Sequence, residues 1–135
     1  MDTTLPRSSD LEAYFYRSWV GNHPVVVCAD YGIRQNFITL ELAKRENLEF
    51  QRFPLCARPR LLKDCYFRNY VVIGRLKRLF EVDVGGDDLG MPGMVVQRYD
   101  WEESCEAKIT KPWDVLVGRN ALNCAGYFMF GFNTY

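Results

Sequence analysis

The chain has 135 residues, 48% of them hydrophobic, with 17 lysines and arginines set against 17 aspartates and glutamates. That length suits one domain, and the apolar fraction suffices for a buried core, which excludes wholesale disorder. Zero net charge removes the usual attraction to nucleic acid or an anionic membrane, and it leaves little repulsion to oppose self-association.

Residues 1–12 are polar and read as a flexible N-terminal segment, with a single domain over 13–135. The opening MDTTLPRSSDLEAYF has no apolar stretch after its arginine, so it does not read as a secretory signal. AYFYRSWV (Ala13–Val20) and VVVCA (Val25–Ala29) read as two strands of a hairpin with GNHP at its tip. His23, in that tip, reads as a solvated or capping residue rather than a base. NFITLELAKRENL changes period. Phe37, Leu40 and Leu42 are spaced as on a short helix that ends near Asn47, with Lys44, Arg45 and Glu46 on its wet side.

RFPLCARPRLLKD carries two prolines and reads as a loop or edge segment. CYFRNYVVIG, RLKRLFEVDV and MVVQRYDW are strand-like, separated by the turn signals GGDD and GMPG. ESCEAKITKP is a polar linker, WDVLVG a strand, RNALNCAG helical in pattern, and YFMFGF an aromatic final strand. Seven or so short strands with one or two short helices describe a small, closed or nearly closed β-domain.

No apolar run approaches the roughly 20 residues that span a bilayer, so no membrane partner is expected. The five cysteines are odd in number and form no C-x-x-C pair, which suits reduced thiols in a cytoplasmic protein. Only one histidine is present, too few for the common zinc sites, and neither a metal nor a cofactor is expected. Asp83, Asp87 and Asp88 lack the spacing and terminal glutamate of a calcium loop. RLKRLF could present a basic strip to RNA, but a half-exposed strand explains it equally, and the zero net charge disfavours nucleic acid. Cys28, inside an apolar run, reads as a small core residue rather than a nucleophile.

Two stretches carry chemistry. In CADYGIRQNFI (Cys28–Ile38) a buried strand breaks at an acid and a glycine. Asp30 is there either the polar corner of a turn or a catalytic carboxylate. VVVCADYGIRQNFIT resembles the active-site loop of the retropepsin-like aspartic proteases of retroviral and retrotransposon type: an apolar strand, an Asp-Thr-Gly or Asp-Ser-Gly loop, then an apolar pair. DVLVGRNALNCAGYFMF resembles the same family's second motif. There an apolar pair and Gly-Arg-Asn lead into a helix, a glycine and a final strand, matched here by Gly118, Arg119, Asn120, Leu122, Gly126 and Phe130.

The resemblance implies a mainly β, retropepsin-like acid-protease half-barrel with one short C-terminal helix. It implies an endopeptidase cutting a peptide or polyprotein substrate as a homodimer, with Asp30 from each chain sharing one proton. Tyr31 and Gly32 would complete the active-site loop, with Gly32 allowing a tight turn. Gly118, Arg119 and Asn120 would support it, and YFMF would pair across the interface. The alternative is a catalytically inactive retropepsin-like dimerisation or peptide-binding domain.

Three letters depart from the pattern. Tyr31 stands where the family has Thr or Ser, whose hydroxyl bonds the partner's loop. Ile33 stands where a small residue is usual, and Arg34 where viral members often have an acid that pairs with the helix arginine. Arg119 would then turn to another acid, with Asp114 the nearest in sequence. The flap that closes over substrate would come from the LKDC turn (Leu62–Cys65) or from the neighbourhood of Gly74, and GGDD would join later strands.

Overall fold

A computed structural model describes residues 3–4, 13–54, 58–84, 86–99 and 113–124. The polar linker, Gly126, Phe130 and the YFMF strand lie outside the described residues. Along the chain run β1 (Thr3–Thr4), β2 (Ala13–Val20), β3 (His23–Asp30), β4 (Phe37–Thr39), α1 (Leu40–Arg45), β5 (Phe50–Arg52) and β6 (Arg60–Lys63). Then follow β7 (Asn69–Leu76), β8 (Phe80–Val84), β9 (Asp87–Met91), β10 (Met94–Tyr99), β11 (Val115–Gly118) and α2 (Arg119–Cys124). Thr3–Thr4, inside the segment expected to fray, pair in parallel with Arg60 and Leu61.

The β2–β3 hairpin forms as its alternation requires, with Gly21 at φ 59° in the turn, a left-handed conformation that costs glycine little. An added Cβ at Gly21 would also come within 2.7 Å of Glu46 Oε1. His23 is not merely solvated: its Nδ1 contacts the Glu46 carboxylate, tying the hairpin tip to the end of α1.

Phe37 lies in a strand rather than on the helix. It pairs with Met94 on one side and Leu116 on the other, and these ladders outweigh the local helical spacing. The helix begins only after Thr39, whose hydroxyl accepts from Leu42 N at 3.3 Å and so caps it. It ends at Arg45, and Asn47 turns the chain with φ 55°.

Among the described residues nine strands form one sheet in the order β1-β6-β7-β10-β4-β11-β3-β2, with β5 also paired to β7; β8 and β9 form a separate hairpin. Among the described residues strands dominate, accompanied by two short helices. The central strands are buried on both faces, which is why VVVCA, MVV and VLVG read as unbroken apolar runs. Successive side chains point to opposite faces. Val27, Ala29, Ile38, Val95, Val115 and Val117 enter a core shared with Val82 and Val84 of the β8–β9 hairpin. Cys28, Phe37, Val96 and Leu116 enter a second core with Leu62, Tyr70 and Trp113.

At Gly74 the backbone of β5 passes so close that an added Cβ would lie 2.5 Å from Gln51 O. The pairing with β10 skips Ile73, a β-bulge. Gly74 is therefore packed strand interior, not a hairpin tip.

The LKDC turn is built around a buried acid. Asp64 is fully buried. Its Oδ1 accepts from Tyr66 N and Arg68 N at 2.9 and 2.8 Å. Its Oδ2 accepts from Arg68 Nε at 2.6 Å, Trp113 Nε1 at 3.0 Å and Tyr70 OH at 3.3 Å. Burial and the neighbouring Asp64 carboxylate push the Tyr70 hydroxyl well above its usual pKa.

This knot fastens the β6–β7 turn to the residue that leads into β11. Phe15 stacks on Tyr66 at 5.5 Å, bringing β2 against the same turn. Replacing Asp64 by Ala would strand a buried guanidinium. The expected loss is about 3–5 kcal/mol of unfolding free energy, read from urea denaturation.

Candidate active site

β11 lies between β3 and β4, parallel to the first and antiparallel to the second. The chain leaving β3 must therefore step over the end of β11 to begin β4. Residues 31–36 make that crossing, and Asp30 stands at its start, in register with Gly118. Asp30 Oδ1 accepts from Gly32 N at 2.8 Å, and its carbonyl accepts from Ile33 N at 3.2 Å. This is the hydrogen-bonded turn that Asp favours. The left-handed glycines among the described residues are Gly21 and Gly86. Gly32 thus turns through this closure rather than through a positive φ. Asp30 is fully buried within its own chain.

The crossing is held at several points. Tyr31 and Ile33 are buried, Tyr31 in the first core and Ile33 in the second, so the loop is anchored on both faces. Ile33, unusual for the family pattern, supplies the second anchor. Ile33 O and Arg34 O accept from Arg119 N and Asn120 N at 2.7 and 3.2 Å. These are the first amides of α2, which have no partner inside the helix. Gly118 is required by this approach: a Cβ there would lie 2.2 Å from Gln35 O and 2.7 Å from Arg34 C.

Arg119 does not use Asp114. Its Nη1 donates to Tyr31 O at 3.1 Å. Asp114 sits at the opposite end of β11, where Oδ2 accepts from Val26 N at 2.8 Å. Arg34 is exposed, so the two arginines do not compete for one buried partner. The Tyr31 hydroxyl donates to Asn123 Oδ1 on α2 of the same chain.

Asn36 is a site residue that sequence reasoning missed. Buried, it accepts from Gly118 N at 2.9 Å through Oδ1, donates from Nδ2 to Pro92 O at 3.0 Å, and accepts from Met94 N at 3.0 Å through its carbonyl. A polar amide directly before the buried Phe37–Ile38 pair was the only hint. A hydrogen bond to Cys65, then burial, pushes the Cys28 thiol well above its usual pKa, which fits a core residue and not a nucleophile.

A groove of about 450 Å³ opens beside the crossing, lined by Gln35, Asn36, Met91, Met94, Asn120 and Cys124 among others. Asp30 does not line it. Among the described residues no three His, Cys, Asp or Glu side chains converge as metal ligands would. No helix among them is long and apolar enough to cross a membrane.

No protein-family model and no curated protein matches the chain. Solved structures do. The retroviral protease-like domain of Ddi1 from Leishmania major aligns with TM-score 0.53 and 12% identity, covering 85% of this chain and 78% of that one. A retropepsin-like aspartic protease from Rickettsia conorii gives TM-score 0.42 and 16% identity over 88% and 76%. EIAV protease in an inhibitor complex gives 0.46 and 11% over 85% and 89%. The chain has a retropepsin-like fold. At these identities the likeness is one of fold.

Gly118→Ala would force the 34–35 backbone off the end of β11. It is expected to cost about 3 kcal/mol or more in unfolding free energy, read from the denaturation midpoint.

Proposed function

We propose that this chain is an aspartic endopeptidase of the retropepsin class, acting as a homodimer in which two Asp30 carboxylates form the catalytic pair. The observation that carries the reading is Asp30 itself. It stands at the end of β3 beside Gly118, with Oδ1 held by Gly32 N at 2.8 Å. A carboxylate fixed on a rigid crossing is what general acid–base chemistry needs, since small misplacement costs orders of magnitude in rate.

Two such carboxylates facing each other share one proton. The ionised one takes a proton from water as its oxygen attacks the peptide carbonyl carbon. The protonated one gives its proton to the carbonyl oxygen. Collapse of the tetrahedral diol then breaks the C–N bond: the carboxyl that took the water proton delivers it to the leaving nitrogen, and the other carboxylate takes a hydroxyl proton, which restores the shared-proton pair. The substrate would be an extended peptide or polyprotein segment.

A second reading has its own support. Asp30 is fully buried within one chain, and Tyr31 directs its hydroxyl to its own helix rather than towards a partner. Both suit a catalytically silent dimerisation or peptide-binding domain that keeps the scaffold.

Wild type and Asp30→Asn, incubated with a diverse peptide pool between about pH 4 and 6, separate the two readings. Endopeptidase activity predicts cleavage by wild type that falls at least about a hundredfold in the Asn variant. Absence of cleavage by wild type, with self-association confirmed in the same samples by sedimentation, would establish the silent reading instead.

A further inference from the structure

We infer that Asn123 is a positioning residue for the Asp30 loop, and that its bond to Tyr31 fixes that loop within a single chain, before any second copy engages. The inference rests on reading residues 30–32 as an active-site loop.

Arg119 and Asn123 are four residues apart on α2 and so share one face of the helix. Both meet the same residue: Arg119 Nη1 donates to the Tyr31 carbonyl at 3.1 Å, and Asn123 Oδ1 accepts from the Tyr31 hydroxyl. Between these ends Tyr31 is buried, 8% exposed as a whole residue, in the core that also holds Ala121 and Leu122. Residue 31 is thus held at its backbone, its ring and its tip by one helix of its own chain.

The next residue, Gly32, closes onto the Asp30 carboxylate. Any freedom at Tyr31 is therefore passed directly to Asp30. A Thr or Ser hydroxyl stands too close to the backbone to span a ring-length gap, whereas tyrosine spans it. The large residue that stands where the family pattern has Thr or Ser makes an intrachain contact. The order of the loop should then be independent of protein concentration.

Hydrogen exchange of the Gly32 and Ile33 amides, measured by NMR on the full chain from dilute to concentrated samples, tests this. Protection at Gly32 should be the same at both ends of the series. Tyr31→Phe, which keeps the ring, and Asn123→Ala should each speed exchange at Gly32 roughly three- to tenfold, the factor for one ordinary hydrogen bond. Exchange in the β3 core should not change, nor should the self-association constant.

Asn123→Asp, which keeps an acceptor oxygen, should restore wild-type protection; a merely structural surface role would give no such rescue. Protection that appears only on association would overturn the inference. So would an Asn123→Ala variant indistinguishable from wild type, or an Asp variant that behaves like Ala. None of these readouts requires peptide cleavage, so a failed endopeptidase assay leaves them decisive.

Discussion

The structure depends on one crossing: residues 31–36 pass over the end of β11, so that a strand late in the chain lies between two early ones. Gly118 permits it, because no Cβ fits beneath Gln35 O. Asn36 seals it from the side, and the first two amides of α2 seal it from below by donating to Ile33 O and Arg34 O. Neither partner is complete alone. The helix would begin with unpaired amides, and the loop would carry unpaired carbonyls beside the core, each costing on the order of 1–3 kcal/mol. Loop and helix therefore stabilise each other, and Asp30 is positioned as a consequence.

A second knot serves the same end from the opposite face. The Asp64 carboxylate collects donors from Tyr66, Arg68, Tyr70 and Trp113, fully out of water. A buried ion pair contributes little net stability by itself, but its geometry is unforgiving. Here it sets where Trp113 sits and hence where β11 enters the sheet one residue after Asp114. The turn that family likeness offered as a flap is thus built on a buried carboxylate.

Much of the fold was legible because short-range periodicity reports burial. VVVCA read as a buried strand, MVVQRYDW and WDVLVG read as strands, and GNHP, GGDD and GMPG marked turns through their backbone preferences. The Asp30 loop and the Gly118–Arg119–Asn120 segment were legible as a pair of motifs in order. Phe37 was misplaced because its apolar spacing fits a helix, while its actual partners, Met94 and Leu116, lie far along the chain. Gly74 and the LKDC turn drew attention as glycine and turn signals, yet the first lies against the β5 backbone and the second encloses a buried acid.

By itself the sequence determined the alternation of faces, the mainly β class and the position of the acid–glycine turn, while the family resemblance implied which segments meet around it. Tertiary structure decided which atoms meet. Arg119 turned to the Tyr31 carbonyl instead of an acid, Tyr31 reached Asn123 across 92 positions, and Asn36 reached Gly118 across 82. Periodicity is a local property, set by successive side chains on one strand or helix. Hydrogen-bond partners this distant in sequence are chosen by topology, and only the crossing of one loop over one strand brings them within reach.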